Sequence, residues 1–345
     1  EAKQVVVTGG TGYIASWIVH DLLKAGHNVR ITVRDKTKVK KYQHLLDIDI
    51  DSTGSLEVFE ADLNEPGSFD EAISGAEIVM HTASPFFLND KNDPQKNLID
   101  PAVNGTKNVL TSVNKFESVK RVVLTSSLAA IYGDNKDLAD SGGEMLNEDM
   151  WNTSSSLSHN SYSYSKTRAE KAAWSMVDKQ NRWDLVTIHP GFVLGPSLSQ
   201  RIDSTSIETI LRMLHGDLRV GSPDLRFVFS DVRDVASGHL LAAFTEKAKG
   251  RYIIANDSGS LLDVGTIIGN KYPGEYKVPK GLVPKWLVLL IAPIIGFTRL
   301  YAKNNLGYPL KADNSRSIAD LNIQYHTKEQ TVIDHVEQLR KDDLI

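Results

Sequence analysis

The chain has 345 residues and a formal net charge of −4, with 41% hydrophobic and 24% charged residues, which is ordinary for a soluble globular enzyme. The small negative charge gives no basic field that would indicate nucleic acid or an anionic membrane as a partner. The absence of cysteine excludes disulfides and thiolate catalysis and favours a reducing compartment. With no signal-peptide pattern at its start, the sequence predicts a cytoplasmic protein.

The first half of the chain alternates predicted strands and helices. Apolar, mostly β-branched segments predict strands at residues 5–7, 29–33, 56–59, 78–81, 122–125 and 185–188. Helices are predicted around residues 13–25, 36–46, 68–74, 100–116 and 162–180. Apolar strands that alternate with helices are typical of a parallel sheet covered on both faces. The predicted fold class is therefore α/β, with a doubly wound parallel sheet of the Rossmann type.

After Pro190 the alternation ends. An amphipathic helix is predicted at residues 205–215, strands at 227–229 and 252–254, and a final helix around residues 332–339. We predict a Rossmann domain that spans residues 1–190 plus about 225–256. The remaining residues, about 191–224 and 257–345, then form a smaller, discontinuous C-terminal substrate domain.

The longest apolar run extends from Trp286 to Phe297 and is interrupted by Pro293 and Gly296. A membrane span needs about 20 apolar residues, so this run is too short. It predicts a buried helix of the second domain, with a lipid- or partner-facing surface as the alternative.

The segment from Thr8 to Ala15 places a glycine-rich turn between the first strand and the first helix. Gly9 permits the tight turn, and Gly12 lets the backbone approach a pyrophosphate at the helix N-terminus, beside Tyr13 and Ile14. This context predicts a dinucleotide site.

The second strand ends in Arg34 and Asp35, followed by Lys40 and Lys41. An acidic residue here favours NAD, whereas an arginine favours the 2′-phosphate of NADP. We predict NADPH as the cofactor, with Arg34 as the main phosphate ligand and Lys41 as a helper.

Tyr162 and Lys166 are four residues apart on a predicted helix and therefore share a face, unlike Tyr164. The ammonium of Lys166 would stabilise a Tyr162 phenolate. Ser127 follows a predicted strand at the carboxyl edge of the sheet, where its hydroxyl could orient a substrate carbonyl. The three residues predict hydride transfer with Tyr162 as proton donor.

These motifs resemble the extended short-chain dehydrogenases/reductases, in particular dihydroflavonol reductases, cinnamoyl-CoA reductases and microbial aldehyde and ketone reductases. The resemblance covers essentially the whole chain. Its further segments are residues 32–35, 61–63, 81–85, 104–110, 125–127, 162–166 and 189–196.

The resemblance implies additional roles around the cofactor. Those residues are Asp62 and Leu63 near the adenine, Thr82, Ala83 and Ser84 along the cofactor channel, and Pro190, Val193 and Ser206 near the nicotinamide. We expect Asp234 to cap a helix, and His81 and His189 to be satisfied by neighbours, because no histidine spacing indicates a metal.

Two departures from the family pattern concern the substrate. Flavonoid reductases carry an asparagine where this chain has Tyr132, which argues against a dihydroflavonol. Serines in residues 160–166 replace the tryptophan, cysteine and glycine of the cinnamoyl-CoA reductase signature, so the resemblance leaves thioester reduction open.

The predicted substrate is a small lipophilic carbonyl compound, with Phe86, Phe87, Tyr132 and Phe192 as candidate lining residues. One alternative is an NAD-dependent nucleotide-sugar epimerase or dehydratase, although no acidic residue follows Ser127 for water elimination. Another is a binding-only NADPH sensor, although such relatives commonly lose the tyrosine or lysine. The sequence leaves monomer and homodimer open.

Overall fold

A parallel sheet forms the centre of the larger lobe in the computed structural model, which describes residues 1–85 and 93–345. The strands are β1 (Gln4–Thr8), β2 (Asn28–Val33), β3 (Ser55–Glu60), β4 (Ile78–His81), β5 (Arg121–Thr125), β6 (Asp184–Pro190), β7 (Phe192–Leu194), β8 (Ser222–Pro223), β9 (Phe227–Asp231), β10 (Gly250–Ile254), β11 (Ser258–Gly259) and β12 (Leu282–Val283).

The α-helices flank the sheet and build most of the smaller lobe. They are α1 (Tyr13–Lys24), α2 (Gln43–Ile50), α3 (Asp70–Ile73), α4 (Asp100–Lys115), α5 (Lys136–Asp140), α6 (Ser161–Val177), α7 (Thr205–Leu214), α8 (Val232–Phe244), α9 (Leu261–Lys271), α10 (Lys285–Ile291), α11 (Arg299–Asn305), α12 (Ser315–Leu321) and α13 (Lys328–Lys341).

The main sheet has the strand order β3-β2-β1-β4-β5-β6-β10, and every neighbouring pair is parallel. The strand order reverses between β1 and β4, where Thr8 lies opposite His81. In open α/β sheets, ligands bind beyond the carboxyl ends of the strands at such a reversal. The predicted doubly wound α/β fold is confirmed, and it places the candidate site at this edge.

Strand β1 shows why the sheet needs helices on both faces. Val5 and Val7 are fully buried in the core that α1 shares, whereas Val6 is fully buried in the opposite core with Phe69 and Val109. Successive side chains of a strand point to opposite faces. A strand that is apolar at every position therefore packs against both helical layers.

The smaller lobe contains a three-stranded sheet of β7, β9 and β11, packed against α7, α9 and α13. Strand β9 thus belongs to this sheet, whereas β10 completes the main sheet and α8 packs against α1. The segment 225–256 therefore contributes to both lobes.

Two local expectations are corrected by the structure. Instead of one helix at 36–46, a short 3₁₀ turn covers residues Val39–Lys41 and α2 follows.

The apolar run from Trp286 is not buried as predicted: Trp286 is 69% exposed and Ile294 is 85% exposed. Only one face, with Val288 and Ala292, packs inward. Among the described residues, no helix has both the length and the apolarity to cross a membrane.

Candidate active site

The glycine turn lies against the end of β4. Gly9 adopts a φ of +62°, and a Cβ atom there would lie 3.0 Å from the Cα of Ala83. The amide of Gly12 donates to the carbonyl of Gly9 at 3.0 Å, and Gly12 precedes the first residue of α1. Gly10, which the sequence analysis did not single out, leaves room for Ile31, since its Cβ would lie 2.5 Å from that side chain. The turn therefore requires glycine for both conformation and space.

Thr8 joins the glycine turn to the predicted cofactor channel. Its Oγ1 lies 2.7 Å from Nδ1 of His81 and accepts from the amides of Thr82 and Ala83, each at 3.1 Å. The Thr82 hydroxyl donates back to the carbonyl of Thr8. His81 is thus satisfied by a neighbour, as predicted. The channel residues are held rigidly at the sheet edge.

A cleft at this edge brings several predicted residues together. Leu63, Ala83, Ser84 and Lys166 line it, along with the buried His81. The ammonium of Lys166 donates to the hydroxyl of Ser84 at 3.3 Å. The lysine of the predicted catalytic group therefore lies beside the predicted cofactor channel.

The three predicted catalytic residues lie at adjoining ends of secondary-structure elements. Asn160, with a left-handed φ of 52°, leads into α6, so that Tyr162 stands in its first turn with 48% of its surface exposed. The Lys166 nitrogen lies 5.7 Å from the Tyr162 ring centroid. Ser127 follows β5, and its Oγ accepts from the amide of Ala129 at 3.1 Å. The geometry gives an exposed phenol and a neighbouring ammonium on one helix.

A buried ionic network behind these residues escaped the sequence analysis. Glu170, one turn after Lys166, is 1% exposed and accepts from the Ser126 hydroxyl at 2.7 Å and from Nε of Arg251 at 2.8 Å. His189 lies 3.3 Å from the same carboxylate and 2.9 Å from the carbonyl of Ser127. Burial alone would raise the pKa of Glu170, but His189 and Arg251 hold it well below its usual range. The network ties α6 to the strand end that carries Ser127.

Two charged residues of opposite sign, Arg34 and Asp35, follow the end of β2. Asp35 accepts from the amide of Thr37 at 2.9 Å and pairs with Lys38 at 3.2 Å. Arg34 is exposed and has no hydrogen-bond or ion-pair partner within residues 1–85 and 93–345. Lys41 is exposed at the end of the 3₁₀ turn, not on a helix. This corner can therefore bind an anion through Arg34.

Several other predicted cofactor residues use their side chains for packing. The Tyr13 hydroxyl donates to the carbonyl of Gly195 and its ring lies 6.5 Å from His335, so that side chain joins the two lobes. Ile14 and Val193 pack against the main core, and Pro190 is buried at the end of β6. Ser206 lies partly exposed in the first turn of α7.

The two predicted adenine residues stabilise the turn after β3. Asp62 accepts from the amide of Asn64 at 2.8 Å, and its own carbonyl accepts from the Ser68 hydroxyl at 2.8 Å. The carbonyl of Leu63 accepts from the side chain of Asn108 at 2.7 Å. These contacts leave the Leu63 side chain directed to the cleft.

The candidate substrate-lining residues do not all lie in one place. Phe192 is partly buried and packs against the core of the smaller lobe, with its ring centroid 4.9 Å from that of Phe227. Tyr132 packs against the apolar cluster that contains Leu128, and burial raises its pKa. Phe86 and Phe87 lie outside the described residues.

Arg201 is a further contact that the sequence analysis missed. Its guanidinium donates to the carbonyl of Thr11 in the glycine turn at 3.1 Å and pairs with Asp203 at 2.8 Å. A cation from the smaller lobe thus lies on the glycine turn. No spacing in the sequence connects residue 201 with residue 11.

Asp231, rather than Asp234, caps α8, which corrects the expectation from sequence. The Asp231 carboxylate accepts from the amide of Arg233 at 2.8 Å. Asp234 instead accepts from the amide of His326 at 2.9 Å and lies 2.6 Å from its Nδ1. Asp231, Asp234 and His326 are grouped closely enough for a metal ion, but Asp231 already pairs with Arg233, and Asp234 with His326.

Three buried histidines predict acid-sensitive folding. Burial lowers the pKa of His81, His239 and His335 from 6.5 to about 4. Between pH 6.5 and 4 the unfolded chain binds protons at these histidines and the folded chain does not. Their contribution to the free energy of unfolding is therefore fully present above pH 6.5 and is lost as the pH drops toward 4. Each histidine contributes a slope of about 1.4 kcal/mol per pH unit in that window.

Urea unfolding at several pH values measures this slope. His239→Gln should lower the slope by the amount that corresponds to about one proton. The control His215→Gln, at an exposed position, should leave the slope unchanged. A free energy of unfolding that is equal at pH 7 and pH 5 would contradict the assignment.

Residues 5–255 match the NAD dependent epimerase/dehydratase family. The chain belongs to this family. Within it, the chain is an extended short-chain dehydrogenase/reductase and an oxidoreductase, as the motifs at the sheet edge predicted.

Similar members of the family include plant reductases. The chain is 42% identical to a cinnamoyl-CoA reductase of Medicago truncatula over 272 residues, which cover 78% of this chain and 81% of that protein. It is 36% identical to an anthocyanidin reductase of Vitis vinifera over 289 residues, covering 80% and 83%.

A similar solved structure is that of Gre2 from Candida albicans in complex with NADPH. It has a TM-score of 0.77 and 30% identity and covers 99% of both chains. The family fold therefore extends over the smaller lobe as well as the main sheet.

Proposed function

We propose that the protein reduces lipophilic aldehydes or ketones to alcohols with NADPH. The observation that carries the proposal is the placement of Tyr162 and Lys166 on one helix, with Lys166 bonded to Ser84 at the cleft edge. Ser127 follows the central strand β5 at the same carboxyl edge. These positions support Tyr162 as the proton donor, Lys166 as the cation and Ser127 as the orienting hydroxyl.

The residues at this edge fit a dinucleotide phosphate. Gly9 leaves no room for a Cβ atom, which would lie 3.0 Å from Ala83, and the first turn of α1 offers backbone N–H groups to an anion. Arg34 is available for a 2′-phosphate, while the Asp35 carboxylate is already paired with Lys38. These features favour NADPH over NADH. When bound, NADPH supplies the hydride for the carbonyl carbon.

The residues of the chain manage the proton and the substrate oxygen. The Tyr162 hydroxyl donates its proton to the carbonyl oxygen, and the Lys166 ammonium stabilises the phenolate that remains. The Ser127 hydroxyl orients that oxygen by a hydrogen bond. Glu170 helps to position both Ser127 and Tyr162, because it accepts a hydrogen bond from Ser126, next to Ser127, and belongs to the helix of Tyr162.

Thioester reduction is a second candidate, favoured by the 42% identity to a cinnamoyl-CoA reductase. In that reaction hydride addition to the thioester carbon is followed by loss of the thiol, which leaves an aldehyde. The same tyrosine and lysine would serve. The two reactions differ after hydride addition: the oxygen of an aldehyde or ketone takes up the proton, whereas a thioester expels a thiolate, which takes up the proton instead.

A panel of carbonyl compounds tests the proposal through the decrease in NADPH absorbance. Aromatic aldehydes, aryl ketones, a β-keto ester, a dihydroflavonol and cinnamoyl-CoA separate the substrate classes. We expect turnover on aldehydes or ketones; turnover on the thioester alone would establish the second candidate. A protein that binds NADPH but oxidises it with no member of the panel would contradict both.

Arg34→Ala should raise the KM for NADPH by about 10- to 100-fold, because a charge-assisted contact to phosphate contributes about 1.5–3 kcal/mol. The KM for NADH should change little, since NADH has no 2′-phosphate. Steady-state kinetics with both cofactors measure the ratio, and NADH is the internal control. Equal losses with both would assign Arg34 a structural role.

A further inference from the structure

The helices α10 and α11 form a hairpin whose inner faces pack and whose outer faces do not. Val288 and Ala292 meet Ala302 and Leu306 in a small apolar cluster between the helices. The Lys285 ammonium ties the pair together by donating to the carbonyls of Lys303, at 3.1 Å, and Leu306, at 2.7 Å. The hairpin is therefore an ordered element with an outer surface of its own.

That outer surface is apolar. Trp286 and Leu290 follow one another at helical spacing and are 69% and 62% exposed, and Ile294 beyond the helix end is 85% exposed. Leu282 before the helix and Leu300 on α11 are exposed as well. We call these residues, Leu282, Trp286, Leu290, Ile294 and Leu300, the hairpin patch. Exposed apolar side chains grouped on one helical hairpin indicate an interaction site.

The charged residues of the segment that carries the hairpin patch all have one sign. Residues 276–312 contain no aspartate or glutamate, although the whole chain has a net charge of −4. The basic residues of this segment are Lys277, Lys280, Lys285, Arg299, Lys303 and Lys311. Lys280, Arg299 and Lys303 are exposed and form no ion pair within the described parts of the chain.

We propose that the hairpin patch docks on the surface of an anionic lipid membrane. Exposed tryptophan and aliphatic side chains enter the interfacial region, while surrounding lysines and arginines bind acidic headgroups. A second copy of this chain is a poorer occupant, because a twofold contact would place the same cations against one another. Docking requires neither NADPH nor the catalytic residues.

Sedimentation with vesicles tests the proposal. The intact protein should bind vesicles of phosphatidylcholine that contain about 30% phosphatidylserine. Binding should be at least ~5-fold weaker to vesicles of phosphatidylcholine alone, and also to the anionic vesicles in 0.5 M NaCl. The double variant Trp286→Ser/Ile294→Ser should remove the apolar contribution to binding. The double variant Lys280→Glu/Arg299→Glu should remove the electrostatic contribution. Each pair should reduce binding at least ~5-fold.

Matched controls separate the patch from general surface effects. Ile50→Ser replaces an isoleucine that is exposed on α2, and Lys179→Glu/Lys247→Glu reverses two exposed charges elsewhere. Both should bind as the unaltered protein does, and thermal melts verify that all variants fold.

Two results would overturn the proposal. Failure of the unaltered protein to bind anionic vesicles is one. A vesicle-independent dimer that Trp286→Ser/Ile294→Ser dissociates is the other, and it would assign the hairpin patch to a second copy.

Discussion

Tyr162→Phe should lower kcat by about 100- to 10,000-fold, the range expected when a positioned general acid is removed. The ring and its packing beside Lys166 remain, so NADPH affinity should change little. Stopped-flow measurement of the hydride-transfer step with an aromatic aldehyde gives the rate directly. The effect should appear in kcat because the proton is transferred only as the carbonyl is reduced.

Tyr164→Phe is the matched control, since Tyr164 lies on the same helix but is not among the described residues that line the cleft. Its hydroxyl instead accepts from Arg168 at 2.8 Å. This variant should retain near-normal turnover. If Tyr162→Phe also retained it, another group would have to protonate the carbonyl oxygen, and the assigned mechanism would be wrong.

Glu170→Ala should destabilise the fold by about 3–5 kcal/mol, because it leaves the buried guanidinium of Arg251 without its counter-charge. Arg251 would keep its bond to the carbonyl of Glu148, at 2.8 Å, but would lose both carboxylate oxygens. Ser126 and Trp174 would lose acceptors as well. Urea unfolding at pH 7 measures the change.

The exposed-site variant Glu246→Ala provides the comparison and should stay within about 0.5 kcal/mol of the unaltered protein. Glu170→Gln keeps the shape but not the charge, so its effect should fall between the two. A loss below about 1 kcal/mol for Glu170→Ala would mean that water or a shift of Arg251 replaces the carboxylate.

The main sheet could be predicted because its strands are apolar at consecutive positions and alternate with helices. Residues 78–81 match the observed β4 at both ends. The helix predicted at 36–46 was wrong because its lysine-rich first half lacks an apolar face. That half forms a 3₁₀ turn, which Tyr42 fixes by donating to the carbonyl of Lys36 at 2.7 Å.

The Glu170 network could not be predicted, because Ser126, His189 and Arg251 come together only through the pairing of β5, β6 and β10. A single charged residue within an apolar strand gives no partner by itself. The exposure of Trp286 was missed for a related reason. Hydropathy reports what a segment contains, whereas burial depends on which other elements pack against it.

Transfer of deuterium from labelled NADPH reports the hydride step itself. The protein would be incubated with NADPH that carries deuterium on the transferable C4 position, together with an aldehyde or ketone that it reduces, and the alcohol would be analysed by mass spectrometry and NMR. We expect one deuterium on the carbinol carbon of the product. An alcohol that contains no deuterium at that carbon would contradict direct hydride transfer.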